Sequence, residues 1–216
     1  MSNRHHLLVF GATGRCGALV VQRAVAAGIK VTAAVRQPVD IPGATLELVD
    51  VLNADQTAAV VRRVAPTAVL SCLGQRRQNP ANPWSRVTSP PDLLTRASAN
   101  IIAGMQQHGI ARIVVMSAAG VAESASQMSL AIRLMILRTN IRFAYVDSAA
   151  MEAQLAHSGL QWCAIRPVTL RSGAVRPAKP TDRYGLLSSI PRAAVAQCMV
   201  DLACARHIDN PLPMIG

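Results

Sequence analysis

The chain has 216 residues, 51% of them hydrophobic, 15% charged and 3% aromatic, with 13 Gly and 13 Pro. That balance excludes a disordered or fibrous protein and suits one globular body with a full core. Lys plus Arg number 22 against 11 Asp plus Glu, a formal charge of +11, so an anionic partner is expected: a phosphate-bearing cofactor, a nucleic acid or an acidic metabolite.

Short apolar runs alternate with longer stretches of helical periodicity along the chain. The runs predict strands at His6–Phe10, Lys30–Val35, Thr45–Val49, Ala68–Cys72, Arg112–Met116 and Gln161–Arg166. The longer stretches predict helices at Gly14–Ala27, Asp55–Val64, Asp92–His108, Phe143–His157 and Arg192–Ala205, with Gly28, Gly109 and Gly159 as stops and Asp92 behind Pro91 as a start. This rhythm specifies an α/β fold, a doubly wound, mostly parallel sheet with helices on both faces. The chain reads as one domain over residues 1–216 with a small substrate-side portion near its C-terminus. Two stretches interrupt the rhythm. Residues 74–91 hold four prolines and predict a long loop of functional interest. In Ser124–Asn140, Met128, Ala131, Ile132, Met135 and Ile136 recur at helical spacing, which suits packing on the core, with a homodimer face or a lid as the sharper reading.

The first strand runs directly into Gly11-Ala12-Thr13-Gly14-Arg15-Cys16-Gly17, and a helix pattern follows. Gly11 permits a tight strand-to-helix turn, Gly14 lets the backbone approach a pyrophosphate, and Gly17 lets the helix pack close to the sheet, while the helix N-terminus attracts the anion. At the end of the second strand, where an NAD site usually carries an acid for the ribose hydroxyl, stands Arg36. Its guanidinium suits a 2′-phosphate, with Arg15 near enough in sequence to share it, so NADP(H) is the expected cofactor. Asp40 keeps NAD open, and Arg36 as a solvated strand-end charge is the bland alternative.

The motifs GATGRCG, VRQP, VDVLNAD, SCLGQRR, VVMSAAG, HSGLQWCAIRP and SSIPRAAVAQCMV follow in that order over nearly the whole chain. Together they resemble the atypical short-chain dehydrogenase/reductases, in particular the NAD(P)H-binding group of NmrA-like proteins and biliverdin-IXβ and flavin reductases. The resemblance implies a Rossmann-type domain in which Gly11, Thr13, Gly14, Arg15, Cys16, Gly17 and Arg36 hold the nucleotide. It further implies that Asp50 and Val51 border the adenine, that Leu73 and Gly74 line the path to the nicotinamide ribose, and that Ser117 sits beside the nicotinamide. Arg166, Pro167 and Val168, with Thr169 after them, match the segment expected to close over that end.

The usual short-chain dehydrogenase machinery is a Tyr with a Lys four positions later. Here Tyr145 is followed at that position by Ala149 and Tyr184 by Ser188, and Lys30 and Lys179 fall elsewhere. The polar candidates are therefore Ser117, Tyr145 and Asp147, with Ser148 and Glu152 on the Tyr145 face of the same helix. Flavin- or biliverdin-like acceptors take hydride with a proton from solvent and need no such pair. The expected activity is an NADPH-dependent reductase acting on a small organic or conjugated substrate. An NADP(H)-binding sensor without turnover, or an isomerase or cyclase on a retained cofactor fold, are the alternatives.

Other chemistries find little support. His5, His6, His108, His157 and His207 show no metal-ligand spacing with Cys or carboxylates, so no metal is assigned. The five cysteines form no CxxC and read as free, mostly buried thiols. Gln75, Arg76, Arg77 and Arg86 with Trp84 make too small a platform for nucleic acid. The opening MSNRHHLLVF lacks a leader's apolar core, and no apolar run reaches the roughly 18 residues of a membrane span, which predicts a cytoplasmic protein without membrane contact.

Overall fold

A computed structural model describes residues 5–173 and 176–216. Residues 1–4, on which part of the leader argument rests, lie outside the described residues. Seven strands form one parallel sheet in the order β3-β2-β1-β4-β5-β6-β9: β1 (His6–Phe10), β2 (Lys30–Val35), β3 (Thr45–Leu48), β4 (Ala68–Ser71), β5 (Arg112–Met116), β6 (Gln161–Pro167) and β9 (Met214–Ile215). Two short strands, β7 (Thr169–Arg171) and β8 (Ser189–Pro191), pair separately. The helices are α1 (Gly17–Ala26), α2 (Ala54–Val64), α3 (Leu93–Gln107), α4 (Leu130–Leu137), α5 (Ile141–Ala156) and α6 (Arg192–Cys204).

The central strand shows why the sheet is covered on both sides. Leu7 and Val9 of β1 join a core with α1 and α6, while Leu8 and Phe10 join the opposite core with α2, α3 and α5. Side chains alternate faces along a strand, so a run apolar at every position needs helices above and below. All four residues are at most 1% exposed. The chain winds outward from β1 to β2 and β3, then returns to place β4 on the other side of β1. The loops leaving β1 and β4 therefore diverge at the sheet's carboxyl edge and open a crevice, the usual ligand position in such sheets.

Three departures from the sequence reading have local causes. The helix predicted from Gly14 begins at Gly17, because residues 11–16 are held as a loop by the Gly14 amide donating to the Gly11 carbonyl at 2.9 Å. The stretch Ser124–Asn140 divides into a 3-10 turn, Ala122–Gln127, and α4; Met128 bridges to Tyr184 between them, and Ser129 caps α4. Its Ile132 and Ile136 are buried in the core while Leu130, Leu134 and Leu137 stay exposed. Strands β7, β8 and β9 have only two or three residues each, too short for alternation to mark them. No helix is long and apolar enough to cross a membrane among the described residues.

Candidate active site

Two adjoining cavities occupy the carboxyl edge of the sheet. The first, about 340 Å³, lies over the ends of β1, β2 and β3 and is bordered by Gly11, Thr13, Arg36, Asp50, Val51 and Leu73. The second, about 690 Å³, extends past Arg15 and Cys16 toward Met116, Ile141, Ala144 and Leu170. Gly14 and Gly74 border both, so the glycine loop and the loop after β4 form the passage between them.

The glycine loop has the tight geometry its sequence demands. Gly11 has φ +74°, and a Cβ there would stand 2.8 Å from the Cys72 backbone; a Cβ on Gly17 would stand 2.1 Å from the Gly11 carbonyl oxygen. Both contacts are too close for any side chain, so the loop lies against β4 and the helix against the loop. Gly17 thus shapes the site from beneath without bordering either cavity. Gly74 differs: a Cβ there meets nothing within 4 Å, which leaves the passage open. Helix α1 has no side-chain cap at its N-terminus. The Ala18 and Val20 amides there donate to the Gly14 and Cys16 carbonyls at 2.9 Å, which leaves the Gly17 and Leu19 amides of the first turn for an anion.

The electrostatics fit a phosphate-rich guest. Arg36 borders the first cavity, Arg15, Arg77 and Arg192 the second, and Arg76 both. Arg15, Arg36, Arg76 and Arg192 form no ion pair with any described residue. Among the described residues the Arg77 guanidinium donates only to the Pro80 carbonyl, at 2.7 Å. The Oε1 of Gln75, beside the second cavity, is buried without a hydrogen-bond partner among the described residues. A buried acceptor left bare is uncommon, and a donor on a bound molecule would satisfy it. The residues present therefore suit a dinucleotide: amides and arginines for its phosphates, an apolar border at Val51 and Leu73, and an open passage.

Other residues singled out in the sequence are held by partners within the fold. Asp147, 3% exposed, accepts from the Leu94 and Thr95 amides at 2.8 and 2.9 Å and from the Thr95 hydroxyl at 2.7 Å, so it caps α3 from α5. Tyr145 donates its hydroxyl to the Ala119 carbonyl at 2.9 Å. Burial first, and then the neighbouring Tyr184, push its pKa well above the ordinary phenol value. Ser117 donates to Glu152 Oε1 at 2.5 Å, and Glu152 in turn pairs with buried Arg166, which also holds Glu123. Pro167 and Val168 are buried backbone partners of the Ala119 amide and the Ile215 carbonyl, and Thr169 meets the Tyr184 hydroxyl at 3.0 Å. None of Ser117, Tyr145, Asp147, Pro167, Val168 and Thr169 borders either cavity; their chain neighbours Met116, Ala144 and Leu170 do.

The loop 74–91 contributes more than sequence reasoning could assign. It folds back on itself through the Arg77–Val87 bridge, and Asn140 secures it by donating to the Trp84 carbonyl at 2.8 Å. Thr88, Ser89 and Pro90 thereby reach the first cavity. Its proline content signalled a shaped loop, but nothing local signalled which residues face the crevice. Arg192 was equally hidden, since its place in the second cavity depends on where β8 delivers the start of α6.

The model of a family described as NAD(P)H-binding matches residues 11–205. The chain belongs to this NAD(P)H-binding family. Its fold is also shared with solved structures of low sequence identity. ChuY, an anaerobilin reductase from Escherichia coli O157:H7, is 22% identical with a TM-score of 0.76, covering 97% of this chain and 96% of that one. A short-chain dehydrogenase/reductase from Veillonella parvula, solved in complex with NADP, is 14% identical with a TM-score of 0.74, covering 98% and 94%. The oxidoreductase YlbE from Lactococcus lactis is 12% identical with a TM-score of 0.77, covering 97% and 90%. In this NAD(P)H-binding protein the glycine loop lies within the matched region, as do all the cavity arginines. Among the described residues no three His, Cys, Asp or Glu side chains stand together as a metal set.

Proposed function

We propose that this protein is an NADPH-dependent reductase that delivers hydride to a small organic or conjugated acceptor without the Tyr-Lys pair. The observation that carries this reading is the division of the crevice: a smaller cavity with Arg36 at its rim, and a larger one with an apolar border, joined through Gly14 and Gly74. Arg36 and the loop amides bind the phosphates, and Val51 with Leu73 packs the adenine end. Reduced nicotinamide supplies the hydride when bound. Met116, Ile141, Ala144 and Leu170 exclude water from the acceptor and orient it. Tyr145, with its hydroxyl occupied and its pKa raised, is a poor proton donor, which favours acceptors that take their proton from solvent. Ser117 and Asp147 then act as positioning residues, the first through Glu152 and the second through α3.

The test is a panel of quinones, flavins and carbonyl compounds offered with NADPH, following nucleotide oxidation. At least one is expected to be reduced well above background, and failure of the whole panel would count against turnover. A second reading, an NADP(H)-binding sensor, is favoured by the structural engagement of Tyr145, Asp147 and Glu152. It requires nucleotide binding without turnover and a protein partner whose affinity differs between NADP and NADPH. Equal partner binding in the two states would remove it.

A further inference from the structure

We propose that the second cavity selects an acceptor with an apolar body and an anionic end, a carboxylate or phosphate, held by Arg77 and Arg192. The inference rests on the cofactor reading above and names the substrate class for the same site. Its starting point is an excess of cations. The second cavity is bordered by Arg15, Arg76, Arg77 and Arg192 and, among the described residues, by no Asp or Glu. In the cofactor reading, Arg36 meets the 2′-phosphate in the first cavity, the loop amides and Arg15 meet the pyrophosphate, and Arg76 lies at the passage. Arg77 and Arg192 remain without an assigned anion.

These side chains also crowd one another. Burial and then the charge of Arg15 lower the pKa of Arg77; burial raises the Cys16 thiol, against the charges of Arg192 and Arg15, so both of these also stand near Cys16. Like charges gathered in a half-enclosed space repel, and an anion among them relieves that repulsion. Other parts of the border are apolar, at Met116, Ile141, Ala144 and Leu170. A ligand complementary to both parts has an apolar body and a charged end. Size agrees: the second cavity, at about 690 Å³, is twice the first at about 340 Å³. The two nucleoside halves of a dinucleotide are similar in bulk, so the larger cavity retains room for a second molecule.

The experiment compares anthraquinone-2-carboxylate with its uncharged methyl ester, titrated into the NADP-loaded and the nucleotide-free protein at fixed ionic strength. The carboxylate is expected to bind about tenfold or more tightly than the ester, as a charge-assisted pair to arginine implies. In the Arg77→Gln/Arg192→Gln double variant the two should converge to within about twofold, chiefly through loss of the carboxylate, while paired Lys replacements recover part of the preference. NADPH titration of each variant reports whether the fold and the nucleotide site survive. Equal binding of acid and ester to the wild type, a preference that persists in the double variant, or no binding of the carboxylate in either form would overturn the proposal. Failure of wild type to bind NADPH, with the carboxylate preference intact, would instead overturn the cofactor reading and leave the anion site standing.

Discussion

Arg36 and Gly74 stand at the border of the crevice, one bringing a charge and the other no side chain. The Arg36 guanidinium is exposed, faces the first cavity and pairs with no described carboxylate, so an incoming phosphate displaces only water from it. Removing it as Arg36→Ala should weaken NADPH by roughly ten- to a hundredfold, the equivalent of about 1.5–3 kcal/mol for a charge-assisted hydrogen bond. NADH, which lacks the 2′-phosphate, should scarcely change. Parallel titrations check this, and an equal loss for both nucleotides would assign Arg36 to the fold or the pyrophosphate. Gly74 has a negative φ and open space where a Cβ would point. Gly74→Leu should therefore fold normally, with an unfolding midpoint close to wild type, yet lose about tenfold or more in NADPH affinity by filling the passage. Undiminished binding would show that the dinucleotide does not run between the cavities.

At the scale of elements, α3 and α5 share an apolar core and the Ser98–Gln154 hydrogen bond at 2.7 Å, and one carboxylate of α5 also caps the start of α3. Asp147 lies in mid-helix on α5, yet its oxygens satisfy the first amides of α3, a task that a residue just before a helix usually performs. Asp92, placed at that start by sequence, makes no side-chain cap. Asp147→Ala would leave the Leu94 and Thr95 amides unpaired in a buried setting and should cost about 2–3 kcal/mol in urea unfolding. Asp147→Asn, which keeps an acceptor, should recover part of that loss. An Ala variant as stable as wild type would mean that water takes over the cap. Because α3 begins at Leu93, on the border of the first cavity, the same contact links the α5 helix to that cavity.

The whole molecule carries its positive charge unevenly in function, with five arginines around one crevice and few counter-ions there. Its acid response follows from groups elsewhere. Burial, then the charge of Lys30, holds His6 below its ordinary 6.5, while hydrogen bonds from Arg166 and Arg63 hold Glu123 and Glu47 below 4.5. A lowered folded-state pKa means that the unfolded chain binds the proton more readily. The stability each group contributes is complete above its unfolded value and is lost as pH falls through its folded value. The unfolding temperature should thus be level above neutrality, begin to fall below about pH 6.5, and fall further below about pH 4.5. Thermal scans across that range check this. Glu123→Gln should flatten part of the lower step and leave the upper one; stability that rises on acidification would contradict the assignment.

What could be read from the chain itself was whatever local chemistry decides. Strands β1, β2 and β5 lie where their apolar runs end, because a strand buried on both faces is apolar at nearly every residue, the buried Thr32 of β2 being bonded to His6. The glycine loop was readable for a similar reason: its close approaches tolerate no Cβ, and that requirement is written in the residue type. Arg36 stood out because its place is one residue past a recognisable strand. Only tertiary structure decided the other half of the site. Asp147, Ser117 and Glu152 look alike as candidates in sequence, but α3, Arg166 and the core claim them through residues distant in the chain. Arg77, Arg192, Ile141 and Leu170 come from four separate segments, and no spacing along a chain encodes the meeting of a loop, two helices and a three-residue strand. Local periodicity built the sheet and its phosphate loop; long-range packing chose which side chains were left free to face a substrate.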